Sequence, residues 1–320
     1  MIIIPHTIKP IVRATFNALP LWARERLIRY DMNHMKAVFY KRMARENWSD
    51  SVMWRPEQLY SSLKANSSSG VCHIIASGAS LLDSMTKIRI GEDRVIGFNL
   101  AALADIRFDL YFFELATAQS TSQYPQQHLF SDAQAALILR HAVDRIGQLV
   151  LKDLWAKDYV NRAYFEKHYP QNTPILYDIP LRIAFSISVS NDKINRRIAQ
   201  LLLSYDDEFV YQLSVTTTLA AIAVAAHAGF KDIVVHGFDF FGPHFYCDTS
   251  CVWPESITRE ARECIIQSSP KPGMPHVSIP SVRPLIPHIR QILESRHIRI
   301  FSASRKSPLS HMLPVYEVGK

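Results

Sequence analysis

Short apolar runs alternate with helical stretches along most of the chain. His73–Ala76, Arg94–Phe98, Leu110–Phe113, Leu149–Leu151, Lys231–His236 and Ile298–Ser302 each hold a few apolar residues bounded by polar or small ones. That is the pattern of strands buried on both faces. Helical periodicity falls between several of them, notably over Thr216–Ala228 and Pro284–Arg296. Strands separated by helices predict an α/β fold with a mostly parallel sheet flanked by helices. Residues 116–195 mix aromatic and charged positions without a clean period, and we read them as a helical insertion or lid.

Ahead of the strands the pattern differs. Ile28, Met32, Met35, Phe39 and Met43 recur at steps of 4, 3, 4 and 4, one face of a helix. Residues 1–50 also hold nine Lys or Arg against four acids, which supplies most of the net charge of +7. Such a helix either packs its stripe on the main domain or lies on an anionic membrane surface. The polar stretch Asn47–Gly70 ends in NSSSG and reads as a linker. The expected division is a basic N-terminal helical extension over 1–70 and a Rossmann-like domain over 71–320. No nucleic-acid-binding module accompanies the basic segment, so nucleic acid is not an expected partner.

Composition narrows the classes further. No apolar run reaches the roughly 18–20 residues needed to span a bilayer, and MIII, stopped by Pro5, is too short for a signal-peptide core. The expectation is a cytoplasmic protein, with 1–50 as the segment for peripheral contact with an inner membrane face. Four cysteines, at 72, 247, 251 and 264, make no disulfide framework in 320 residues. Cys247, Cys251 and nearby His244 echo a metal site but lack a second ligand pair, so no metal is expected. The dinucleotide fingerprint G-x-G-x-x-G is absent, which argues against a dehydrogenase.

The candidate chemistry lies at strand ends, where open α/β sheets bind ligands. HIIASGASL runs into Ser77, Gly78, Ala79 and Ser80; VIGFN ends in Asn99; DLYFFE ends in Glu114; DIVVHGFDFF passes Gly237 and Asp239. Together these form a candidate nucleotide pocket. Taken singly each also reads as a cap or turn: Asn99 as a helix start, Asp239 as the holder of a turn.

The order IIASGASL, VIGFN, YFFE, SVTTTLAAIAVAAHAGFKDIVVHGFDFF and PHVS resembles bacterial sialyltransferases of glycosyltransferase family 42, from about His73 to Val315. The resemblance implies a GT-A-like variant of the Rossmann arrangement with a lid, and a CMP-activated sugar acid as donor substrate. No further cofactor is implied. Ser77–Ser80 would wrap the donor phosphate, in a loop one residue shorter than the family's. Asn99 matches a nucleotide-contacting asparagine, and Glu114 stands where the family has another. Thr216 and Thr217 would sit at a helix N-terminus facing the donor. Gly237 and Asp239 match the cytidine end of the pocket, and His276 matches the general base. An imidazole titrates near working pH, which suits proton removal from an acceptor hydroxyl.

The match has gaps. Of two tyrosines expected over the departing phosphate, the first falls on Phe241; Tyr246 would supply the second and His244 would replace the first. KPGMPH lacks a tyrosine, and Ser214 replaces an arginine. These departures leave the donated acid open among sialic acids, other nine-carbon acids and Kdo. The acceptor implied is a cell-surface glycan or glycolipid, and a homo-oligomer is left open. The alternatives are a Rossmann-like pyrophosphokinase-type enzyme with Asp239 and Glu114 on magnesium, or a catalytically inactive binding module.

Overall fold

The computed structural model describes residues 71–114, 142–154, 175–179, 192–204, 210–212, 216–255, 257–269, 271–274 and 282–318, with scattered positions up to residue 70. Eight strands make one sheet: β1 (Val71–Ile75), β2 (Arg94–Phe98), β3 (Phe108–Glu114), β4 (Ile146–Leu154), β5 (Ile175–Ile179), β6 (Val210–Gln212), β7 (Asp232–His236) and β8 (Arg299–Ser302). Their order is β6-β5-β4-β3-β2-β1-β7-β8, and every neighbouring pair runs parallel. The α/β class and the parallel sheet read from the sequence are as expected.

Parallel connections need crossovers, and among the described residues four helices lie in them: α1 (Asp192–Leu202), α2 (Thr217–His227), α3 (Arg259–Ser268) and α4 (Ile286–Ser295). On one face α1, α2 and α4 pack over Cys72, Ile74, Ile96, Leu110, Ile233 and Val235. Helix α1 is amphipathic, burying Ile194, Ile198, Ala199 and Leu202. Helix α2 instead buries every residue from Thr217 to Ala226. Its alanines combine high helix propensity with a small section, so the helix lies close on β1 and β7. The other face carries Val95, Phe108 and Tyr111, covered by residues 100–104, Phe245, Tyr246 and Ile265 of α3.

Two expectations change. Residues 116–195 contain β4, whose centre Leu149–Leu151 was expected as a strand, and β5, which was not; both belong to the main sheet and not to a helical lid, and ILYDI, short and carrying an acid, shows no clear period. Within the presumed linker, Tyr60 and Leu63 are buried in the main core, and the Tyr60 hydroxyl lies 3.3 Å from His227 Nδ1. Two apolar residues three apart suffice to dock one helical face, and polar neighbours hide that signal. The stripe Ile28–Met43 lies outside the described residues, so the membrane-surface expectation stays attached to the sequence alone. Among the described residues, no helix is long and apolar enough to cross a membrane.

Candidate functional site

The chain lays down β1 to β6 in one direction, then returns to place β7 on the other side of β1. The carboxyl ends of β1 and β7 therefore border the topological switch point, where a parallel sheet opens a crevice. In register, Ile75 lies beside both Gly97 and His236.

Two glycines let those ends cross. The Gly78 N–H donates to the Gly237 carbonyl at 2.7 Å. A Cβ on Gly78 would stand 2.5 Å from that carbonyl oxygen and 2.6 Å from the Asp239 carboxylate; one on Gly237 would stand 2.6 Å from the Ala76 oxygen. Gly237 also has a φ of 60°, in the region glycine enters without a Cβ penalty. Within the small-residue run of the first turn, Gly78 is thus required by backbone packing before any ligand is considered.

Asp239 fixes the turn from the opposite wall. Its carboxylate accepts the Ser80 N–H at 2.7 Å and the Ser80 hydroxyl. The amides of Gly78 and Ser80 are therefore engaged within the protein, which corrects the picture of a four-residue phosphate cradle. Ser77 and exposed Ala79 are the parts of this turn that face outward. Asp239 is a turn holder, the role its sequence position also suggested.

An imidazole stands at the same place. His244 Nδ1 is 3.0 Å from the Ser77 hydroxyl oxygen and 3.2 Å from the Ser77 carbonyl oxygen. The Phe245 N–H donates to the Ser77 carbonyl at 2.9 Å, and His244 bridges antiparallel to Gly78. The Tyr246 ring stacks on His244 with centroids 5.1 Å apart and planes at 29°. Tyr246 is only 2% exposed, and burial pushes its phenol far up while Ser269 hydrogen-bonds the hydroxyl. It backs the imidazole and does not line the crevice. Phe241 is half-exposed at the rim, where the Gly242 N–H donates to the Met274 carbonyl at 3.0 Å.

The remaining candidates share this end of the sheet. Thr216 caps α2, its hydroxyl accepting the Leu219 N–H at 3.4 Å, and Thr217 follows, buried. A crossover helix begins on the carboxyl side of the sheet, so both threonines lie at the level of the crevice. Asn99 ends β2 and Glu114 ends β3, placing Glu114 three strand spacings, about 14 Å, from the end of β7. His276 lies outside the described residues. Among those described, no group of three or more His, Cys, Asp or Glu side chains gathers as a metal site.

One polar assembly beneath the first turn has no counterpart in the sequence reading. His73 of β1 and His236 of β7 are fully buried, with His73 Nδ1 2.8 Å from His236 Nε2. His73 Nε2 lies 3.0 Å from Asp93 Oδ2, and His236 Nδ1 lies 2.9 Å from the Ser84 hydroxyl. Asp93 also accepts the Arg89 N–H and a guanidinium N–H, each at 2.9 Å. Burial, with His73 and Lys87 nearby, holds the His236 imidazole well below the usual histidine range. Two histidines inside apolar strands were the available signal; their partnership, across 163 positions, was not.

Comparison with solved structures finds a monofunctional alpha-2,3-sialyltransferase, Cst-I from Campylobacter jejuni, at 17% identity, covering 77% of this chain and 80% of that one with a TM-score of 0.42. The sialyltransferase CstII from Campylobacter jejuni in complex with the substrate analogue CMP-3FNeuAc is 13% identical, covering 77% and 86% with a TM-score of 0.41. CstII from the same organism in complex with cytidine-5'-monophosphate is 13% identical, covering 77% and 85% with a TM-score of 0.39. No family model matches the chain, and no curated protein matches it.

Proposed function

We propose that this protein is an inverting glycosyltransferase that moves a sialic acid or related sugar acid from a CMP-activated donor to a glycan or glycolipid acceptor. The observation that carries the reading is the convergence of Ser77, Gly78, Gly237 and His244 at the switch point, on the end of the sheet where α2 begins. In the reaction the acceptor oxygen bonds to the anomeric carbon as the bond from that carbon to the CMP phosphate oxygen breaks. The acceptor proton passes to an imidazole, and CMP leaves with the electron pair. Charge grows on the departing phosphate, where hydroxyl and imidazole donors and the N-terminus of α2 stabilise it.

His276 is the proposed general base. Met274, two residues before it in the sequence, is tied to Gly242 at the rim. His244 is the proposed donor to the phosphate, in the role that Phe241 cannot fill. The pyrophosphokinase alternative would place Asp239 and Glu114 on magnesium. Ligands of one such ion sit about 2.1 Å from it, whereas Asp239 already holds Ser80 and β3 ends far from β7. Calorimetric titration with CMP, and with ATP plus magnesium, tests the choice. Binding of CMP alone is expected; binding of ATP with magnesium and not CMP would overturn it. With a CMP-sugar that turns over, His276→Ala is expected to lower kcat at least 100-fold, in line with general base catalysis. Unchanged turnover would remove His276 from the mechanism.

A further inference from the structure

We propose that Asp93, His73, His236 and Ser84 form a two-state proton relay whose direction positions the first turn of the crevice; the link to ligand binding rests on reading that crevice as the nucleotide site. The direction of each bond follows from the fixed end. Asp93 accepts from the Arg89 amide and guanidinium, so it is an ionised acceptor, and His73 Nε2 carries the proton it shares with Asp93. In the neutral pair, His73 Nδ1 must then accept from His236 Nε2–H, and His236 Nδ1 must accept the Ser84 hydroxyl proton. Ser84 is turned inward.

One added proton reverses the chain. His73 becomes an imidazolium donating from both nitrogens, His236 Nε2 accepts, and His236 Nδ1–H donates to the Ser84 oxygen. The single Ser84 proton is then released toward the carbonyls of Ser80 and Leu81, both 3.2 Å from Ser84 Oγ. Ser80 is the residue that Asp239 grips by amide and hydroxyl. The relay therefore ends on the turn that joins both walls of the crevice. Ser84 and His236 are positioning residues; neither is exposed to a substrate.

The groups facing the pair set where the reversal occurs. Asp93 favours the extra proton. Arg89, paired with Asp93, and Lys87, whose ammonium donates to the Ala303 and Tyr316 carbonyls at 2.7 Å, oppose it. The Tyr316 ring meets His73 edge-on at 5.9 Å. Burial opposes it most for His236, whose imidazole it holds well below the usual histidine range.

Nitrogen-15 NMR of histidine-labelled full-length protein from pH 4.5 to 8.5 tests the relay without a ligand. At the upper end both imidazoles are expected to carry their proton on Nε2, and the backbone amides of residues 79–82 are expected to titrate with them. In Ser84→Ala the imidazoles still titrate while those amides stay flat. Protons on Nδ1 at high pH, or amides that titrate equally in Ser84→Ala, would overturn the proposal. Should Ser84→Ala fail to fold, Asp93→Asn is expected to lower the pair's midpoint by about 1 pH unit or more, the effect of removing a neighbouring charge; an unmoved midpoint would overturn it. In a second arm, the ratio of CMP affinities at pH 5.5 and 7.5 is expected to differ about threefold or more between the parent and Ser84→Ala, the scale of one hydrogen bond. Titration of the phosphate itself is common to both proteins, so equal ratios would overturn the link to positioning. CMP binding by neither protein would instead defeat the nucleotide reading, leaving the NMR result to decide the relay.

Discussion

Three glycine-to-alanine variants separate the two costs that meet where β1 and β7 cross. Gly91→Ala isolates backbone conformation: its φ is 87° and nothing lies within 4 Å of the new Cβ. Gly78→Ala isolates steric conflict, because its φ is −69° but the Cβ would stand 2.5 Å from the Gly237 oxygen. Gly237→Ala combines both. A left-handed alanine costs about 1–2 kcal/mol, and forcing a methyl into a packed site costs about 1–3 kcal/mol. Against each stands a gain of about 0.4–1 kcal/mol from the stiffer unfolded chain. The expected net losses are about 0–1.5 kcal/mol for Gly91→Ala, about 0–2.5 for Gly78→Ala and about 1–4.5 for Gly237→Ala. Urea unfolding followed by circular dichroism measures all three from the shift in midpoint at constant slope. A Gly237→Ala loss no larger than that of Gly91→Ala would refute the crossing geometry. The same variants carry a functional reading, since Gly78→Ala pushes on the Asp239 carboxylate and should weaken CMP binding where Gly91→Ala does not.

Other outcomes follow from named contacts. Leu63→Ala should cost about 2–5 kcal/mol, the usual loss for a buried leucine, measured by the same unfolding; a loss under about 0.5 kcal/mol, the range of surface substitutions, would mean that this segment does not belong to the core. Asp239→Asn leaves the carboxamide unable to accept both Ser80 bonds as a carboxylate does, so it should cost about 1–3 kcal/mol and faster amide hydrogen exchange at Ser80 should accompany it. His227 and His236 both have depressed imidazole pKa values through burial. The unfolded chain then binds more protons than the native one below about pH 6.5, so stability should fall as pH drops from 7.5 to 5.5. A melting temperature that rises over that interval would contradict it.

The sheet was readable because its central strands are apolar on both faces. Arg94–Phe98 was placed at both ends, and Lys231–His236 and Ile298–Ser302 to within one residue. Helix α2 announced itself through Thr216 and the alanine run. Strands β5 and β6 were not legible: ILYDI carries an acid and VYQ is three residues long, so neither shows a period above its surroundings. The strand ends were taken as the place for a site, and the strand order sets those of β1 and β7 at the switch point of the sheet. What each residue does there was not, because Asp239 looks the same in sequence whether it meets a ribose or a serine amide. His73 and His236 stand within strands whose apolar character hid them, and only sheet order brings them together.

Strand order also dictates when the crevice can exist. β1 forms its last lateral partner only when β7 emerges, about 160 residues later on a ribosome. Until then VCHII presents an unpaired edge in a nascent chain, the kind of segment that recruits other strands. Synthesis is therefore the stage at which this protein is most exposed to misassembly, and a chaperone that shields residues 71–75 until residue 236 has cleared the exit tunnel should raise the yield of active molecules.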